Sequence, residues 1–198
     1  MAAVSDPAAR SPAARTVLVT GGARRLGREI CLQFARAGWN VAMHYRRSAS
    51  EAQALQHELD KLGCRAFLIA ADLGEPDAAE RVLSDCERQT GAPPDCIVNN
   101  ASLFQADDAL SATPAHLQTH WSINTATPLL LANGLARRLL ARKQPAAGRY
   151  SVVHVLDQKV HNLNPDYFSY TVSKLALAQS VALQAQALAP WVRVCGLS

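Results

Sequence analysis

Tyr170-Thr171-Val172-Ser173-Lys174 holds two side chains that could move a proton together. Tyrosine and lysine four positions apart share one helix face. An adjacent ammonium can lower a phenol's pKa from about 10, which would let Tyr170 serve as a general acid. A second constellation lies near the other end of the chain, where Thr16-Val17-Leu18-Val19-Thr20 runs into Gly21-Gly22-Ala23-Arg24-Arg25-Leu26-Gly27. Glycines between a strand and a helix let the backbone approach a phosphate, and the unpaired N–H groups of the helix start can bind it. Any tight turn of this kind favours glycine. Opening a series of alternating strands and helices, it reads as a dinucleotide turn.

The second strand ends in His44-Tyr45-Arg46-Arg47-Ser48. About 20 residues past the glycines, an acid would hold a ribose 2′-hydroxyl and a cation would accept a 2′-phosphate. Here there are two arginines and a serine, with no acid until Glu51. Guanidinium groups pair with phosphate through charge-assisted bonds, and Ser48 can donate one more. The pattern implies NADP rather than NAD.

These groups need a scaffold that brings strand ends together. Apolar, strand-like runs occur at Thr16–Thr20, Asn40–Tyr45, Arg65–Ala71, Asp95–Asn99 and Tyr150–Leu156, and a sixth begins at Trp191–Cys195. Helical spacing covers Leu26–Gly38, Ser50–Leu62, Glu75–Thr90, Leu117–Lys143 with Pro128 marking a candidate break, and Phe168–Ala189. Continuous apolar strands, each followed by a helix, predict an α/β fold: a doubly wound parallel sheet of the Rossmann type. The ligand crevice of such a sheet lies at the carboxyl ends of its strands. The sequence stops at Gly196-Leu197-Ser198, so the expectation is a single NADP-binding domain over 16–198 without the usual C-terminal strand and substrate loop. Residues 1–15, rich in Ala, Pro and Arg and without an apolar stretch, are expected to form a disordered leader rather than a secretory signal.

Composition narrows the function classes. With 49% hydrophobic and 18% charged residues the chain has enough apolar content for a core, which excludes an intrinsically disordered protein. No run of about 18 apolar residues is present, which argues against a membrane span. The net charge of +4 is scattered rather than massed, so an anionic small molecule is a better partner than nucleic acid. Five cysteines (31, 64, 86, 96 and 195), odd in number and without CxxC spacing, suit a reducing, cytoplasmic compartment and packing roles. His116 and His120 are four apart but lack further ligands, so no metal is expected, and all six histidines read as solvated or structurally satisfied.

Thr20-Gly21-x-x-x-Arg25-x-Gly27 resembles the TGxxxGxG turn of the short-chain dehydrogenase/reductase family, and the resemblance extends over nearly all of Thr16 to Leu197. Arg25 in place of the middle glycine resembles the pteridine reductase branch, including dihydromonapterin reductases. The resemblance implies that Gly21, Arg25, Leu26, Gly27, Tyr45, Arg46, Arg47, Ser48, Asp72, Leu73, Asn100, Ala101 and Ser102 bind NADPH. Asp72 taken by itself reads equally well as a turn or capping residue. Asn99-Asn100-Ala101-Ser102 is similar to the family's NNAG, with Ser102 at the glycine. The same likeness implies that Arg25 reaches both the pyrophosphate and a pterin, that Phe104 stacks on the pterin, and that Asn124 keeps a water-linked proton path. It also implies that Lys174 holds the nicotinamide ribose while tuning Tyr170.

Family members usually carry a serine about a dozen residues before the tyrosine; here Asp157 stands there, as in pteridine reductases. A carboxylate only accepts hydrogen bonds and would repel a carbonyl oxygen gaining charge, so it suits a substrate presenting N–H groups, and its charge should raise the Tyr170 pKa against Lys174. The implied function is hydride transfer from NADPH to a C=N bond of a pterin, converting a dihydropteridine to a tetrahydropteridine. The implied catalytic set is Tyr170, Lys174, Asp157 and Asn124, with Arg25, Ser102, Phe104, Asp157 and Tyr170 holding substrate. Tyr167 and Phe168 either line that site or pack on the helix start. The alternatives are a carbonyl reductase of the 3-oxoacyl type, which predicts serine at 157, and a silent NADP-binding protein. The two long helices, with Leu129, Leu130, Leu131, Leu135, Leu139 and Leu140 on the first, predict a homo-oligomer, a tetramer in this family.

Overall fold

The computed structural model describes residues 14–142 and 148–198; most of the expected leader and Lys143 lie outside them. Six parallel strands form one sheet: β1 (Thr16–Val19), β2 (Asn40–Tyr45), β3 (Ala66–Ala70), β4 (Cys96–Asn99), β5 (Tyr150–Val155) and β6 (Val192–Leu197). Their order, β3-β2-β1-β4-β5-β6, reverses direction between β1 and β4 and opens a crevice there. The helices are α1 (Arg25–Arg36), α2 (Ala49–Lys61), α3 (Ala78–Thr90), α4 (Pro114–Trp121), α5 (Thr127–Ala141) and α6 (Phe168–Leu188). The doubly wound reading therefore holds.

Strand alternation builds the two cores. On β1, Val17 and Val19 point to the face packed by Leu32 and Leu55, while Leu18 points to the opposite face with Leu83, Leu131 and Leu135. Both faces are covered, which is why the strands read as continuous apolar runs.

Three expectations are corrected. The third helix starts at Ala78 rather than Glu75, because Glu75 precedes Pro76 and instead forms a turn, with its N–H on Asp72 O at 3.1 Å. The long helix begins at Pro114, capped by the Thr113 hydroxyl, which accepts from the His116 N–H at 3.2 Å. It does not break before Pro128. A single wide turn of π-helix, Ser122–Ala126, joins α4 to α5, and Pro128, which has no N–H to give the helical ladder, follows just after it.

The apolar surplus also differs from expectation. Leu131, Leu135 and Leu139 are core residues, so Leu130 and Leu140 are the exposed leucines of that set, joined by Leu117, Trp121, Val172 and Leu183 on neighbouring helical surfaces. Among the described residues no helix is long and apolar enough to cross a membrane. Four cysteines are buried and Cys195 is exposed, all with free thiols.

Candidate active site

The crevice at the carboxyl ends of β1 and β4 is an open cleft of about 820 Å³. Its floor is the glycine turn. Gly21 has φ of +63°, and a Cβ there would lie 3.0 Å from the Ala101 backbone. A Cβ on Gly27 would sit 2.1 Å from Gly21 O, so the first turn of α1 can approach only because that residue is glycine. Arg25, where the resembling family has glycine, keeps the left-handed backbone at φ of +51°. For a side-chain-bearing residue that conformation costs about 1–2 kcal/mol, strain of the kind concentrated at functional sites. α1 has no capping side chain and no acid in its first turn, leaving its terminal N–H groups for an anion.

Two residues behind the turn hold its shape. Thr20 Oγ1 accepts from the N–H groups of Asn100 and Ala101, each at 3.0 Å. The Asn100 carboxamide donates to Thr20 O at 3.0 Å and Gly21 O at 3.2 Å. His44 lines the cleft from the end of β2, its Nδ1 accepting from the Gly21 N–H at 3.2 Å and its Nε2 lying 3.1 Å from Ala71 O. That pairing assigns the proton to Nε2 and makes the ring neutral. Burial pushes its pKa down to about 4, against the Ala71 carbonyl and the Asp72 charge. The expectation of a satisfied histidine holds, but its place in the glycine turn was missed. Its position at the end of the strand beside that turn was the available signal.

Of the expected phosphate ligands, Arg25, Leu26, Gly27 and Arg46 line the cleft, joined by Arg24, which was not expected. Arg46 also stands 3.6 Å from Asp72, whose Oδ1 accepts from the Gly74 N–H at 3.0 Å. Asp72 is thus a turn residue and a wall of the cleft at once. Leu73, Asn100, Ala101 and Ser102 line it too. Tyr45, Arg47 and Ser48 lie outside its lining: Tyr45 packs on the apolar core, Arg47 is exposed, and Ser48 precedes α2.

At the other end of the cleft, Tyr170 Oη donates to Asp157 Oδ2 at 2.6 Å. Asp157 Oδ1 accepts from the Lys159 N–H at 2.9 Å. Burial raises the Asp157 carboxyl, but the phenol's bond, the Lys159 N–H and the charges of Lys174 and Lys159 outweigh it and hold the group below its ordinary value. Tyr170 moves the other way. Burial first, then the Asp157 bond and charge, push the phenol well above 10, with Ser102 opposing weakly. Of the two opposed influences expected on the phenol, raising by Asp157 prevails over lowering by Lys174: the carboxylate is bonded to it, whereas Lys174 Nζ stands 6.0 Å from the ring centroid. Lys174 donates to Val155 O at 2.8 Å, and burial takes its pKa down to about 8 despite Asp157.

Phe104 completes the slot. Its ring meets Tyr170 edge-to-face at 4.6 Å and lies parallel to Tyr167 at 4.0 Å. Tyr167 thus backs Phe104 without itself lining the cleft. Asn124 is wholly buried in the π-helical turn and all its bonds are internal. Its Oδ1 accepts from Leu103 N–H at 2.7 Å and Ser102 Oγ at 3.3 Å, and its Nδ2 donates to Leu103 O at 2.9 Å and Ser173 Oγ at 3.0 Å. That makes its side chain a clamp between the loop after β4 and α6. His116 and His120 diverge: His120 Nδ1 lies 2.9 Å from His116 O, whereas His116 Nδ1 faces Asp107.

Comparison with known proteins matches this geometry. The family model for short chain dehydrogenases matches residues 15–198. The structure of FolM Alternative dihydrofolate reductase 1 from Brucella canis, complexed with NADP, superposes with a TM-score of 0.84 at 37% identity, covering 92% of this chain and 71% of that one. The promiscuous reductase LugOII, which catalyses keto-reduction at C1 during lugdunomycin biosynthesis, gives 0.81 at 25% identity, covering 92% and 75%. A short chain dehydrogenase of Pseudocercospora fijiensis is 30% identical over 168 residues, 83% of this chain and 52% of that protein. The chain thus spans about half the length of that curated relative.

Proposed function

The chain belongs to the short chain dehydrogenase family, and from that premise we propose that it is an NADPH-dependent reductase acting on the C=N bond of a pterin-like ring. The observation that carries this reading is the bond between Tyr170 and Asp157, because it sets which substrate the site can protonate.

The cleft residues fit a dinucleotide phosphate. The close backbone approach at Gly21 and Gly27, the open N–H groups of α1 and the Arg24 and Arg25 side chains suit the pyrophosphate. Arg46 at the rim suits a 2′-phosphate. Lys174, with one bond to Val155 O, keeps further N–H groups for ribose hydroxyls. NADPH, when bound, supplies the hydride.

The chain's own groups handle substrate and proton. Phe104, backed by Tyr167, offers a flat wall for a heteroaromatic ring. Asp157, acceptor-only, matches a ring edge rich in N–H donors and opposes a carbonyl oxygen gaining charge. Its charge keeps the proton on Tyr170 until a strong acceptor is presented. A ring nitrogen becoming an amine is such an acceptor, and it brings no oxyanion for the Asp157 carboxylate to repel.

The similarity to FolM supports this substrate class, and that to LugOII supports ketone reduction as the second reading. Calorimetric titration with NADP and NAD, followed by NADPH oxidation with dihydrobiopterin, separates the readings. Tight NADP binding with dihydropterin-dependent oxidation supports the proposal. Binding without turnover of any substrate leaves a silent NADP-binding protein, and equal affinity for NAD rejects the cofactor.

A further inference from the structure

We infer that Asp107 is a positioning residue that locks the loop carrying Phe104 to the helix carrying Tyr170, and so sets the width of the slot for a flat substrate; this rests on the pterin reading above. The residue preceding α6, Tyr167, has a left-handed backbone and makes no capping bond of its own. The cap comes from 62 positions earlier in the chain. Asp107 Oδ1 accepts from the Ser169 N–H at 3.0 Å, Oδ2 accepts from the Ser169 hydroxyl, and Asp107 O accepts from the Phe168 N–H at 3.2 Å. A carboxylate only 2% exposed is costly unless paired, and here it meets the positive end of a 21-residue helix. The buried Nδ1 of His116, without a hydrogen-bond partner, faces the same carboxylate at 3.7 Å.

The rest of the loop is fixed on either side of Phe104. Leu103 is held through its N–H and its carbonyl by Asn124, and the Gln105 N–H donates to His120 Nε2 at 3.4 Å. Phe104 itself is half exposed, and its ring reaches two of the three aromatic residues of the α6 start, Tyr167 and Tyr170. The Asn124 and His120 anchors lie on the near side of the loop, and Asp107 is its tie to α6 on the far side, so releasing Asp107 frees the α6 start and the far side of the Phe104 loop together. A simple helix cap would free only the α6 start.

The test compares Asp107→Ala and Asp107→Asn with wild type by amide hydrogen exchange, NADP titration and steady-state kinetics with dihydrobiopterin. For Asp107→Ala, exchange should quicken about tenfold at Phe168–Tyr170 and also at Leu103–Gln105, the size expected for a lost cap. KM for dihydrobiopterin should rise by about tenfold with a smaller fall in kcat, while NADP affinity stays within about twofold. Asp107→Asn keeps an acceptor for the Ser169 N–H and should recover most of both effects. Faster exchange confined to α6, or an unchanged KM, overturns the inference. If Asp107→Ala does not fold, Ser169→Ala should show smaller changes in both segments, and change in one segment alone overturns it. If wild type reduces no dihydropterin, the pterin reading fails, and exchange at Leu103–Gln105 still decides whether Asp107 couples the two segments.

Discussion

Tyr170 and Asp157 are hydrogen-bonded to each other at 2.6 Å, phenol donating to carboxylate, so the proton donor of the site is held by a negative charge. Replacing Asp157 by Asn keeps a weaker acceptor and deletes the charge. Dihydropterin turnover should fall by about tenfold or more, on the scale of a misplaced general acid, with NADPH affinity unchanged. Asp157→Ser should lower pterin turnover and gain weak ketone activity. Steady-state rates on both substrates check this, and a fully active Asp157→Asn would contradict it.

Lys174 carries a pH signature. Burial lowers its pKa to about 8, and Asp157 opposes that fall. Between about 8 and its ordinary 10.5 the folded protein binds fewer protons at this site than the unfolded chain. The Lys174 contribution to stability therefore rises with pH across that window. The alkaline limb of kcat/KM should fall near 8 as the ammonium is lost. In Asp157→Asn, without the opposing charge, the inflection should move to lower pH; a shift upward in a pH–rate profile would refute the assignment.

Arg46, rather than Arg47, should discriminate between the cofactors, because Arg46 lines the cleft. Arg46→Ala should weaken NADPH by roughly 1.5–3 kcal/mol, the worth of a hydrogen bond to a charged group, and NADH by much less. Arg47→Ala should have the smaller effect. Calorimetric titration of both variants checks it, and equal losses for the two nucleotides would exclude a 2′-phosphate contact.

The exposed apolar side chains of the helices, Leu117 and Trp121 on α4, Val172 on α6 and Leu130 and Leu140 on α5, should be buried against other copies, giving a homo-oligomer and, by family analogy, a tetramer. Trp121→Glu should dissociate it. A clean monomer of the wild-type chain in light scattering at micromolar concentration would reject association.

Much of this architecture is legible in the residues. The strand ends could be read because a sheet buried on both faces leaves uninterrupted apolar runs, as in Asn40–Tyr45, which matches the observed β2. Arg25 and Asp157 were legible as departures from a motif. What the sequence concealed is tertiary. Nothing local distinguishes Asp107 from the adjacent Asp108, yet one is buried against α6 and the other closes its own turn with Ser111. Within the π-helical turn, Asn124 faces inward onto Leu103 and Ser173, partners from distant segments that local spacing does not reveal. Lys174 and Asp157 were both legible as influences on Tyr170, but only the fold shows that Asp157, arriving from the end of β5, bonds the phenol while Lys174 bonds Val155 O.

The central claim is that this site delivers hydride to the carbon, and a proton to the nitrogen, of a pterin C=N bond. The most direct measurement is reduction of dihydrobiopterin with NADPH deuterated at the transferred position, run beside a simple ketone and followed by mass spectrometry and NMR of the products. The account predicts tetrahydrobiopterin carrying one deuterium at the carbon of the reduced bond, with little labelled alcohol from the ketone. Labelled alcohol formed as fast as labelled tetrahydropterin, or no label in the pterin at all, would contradict it.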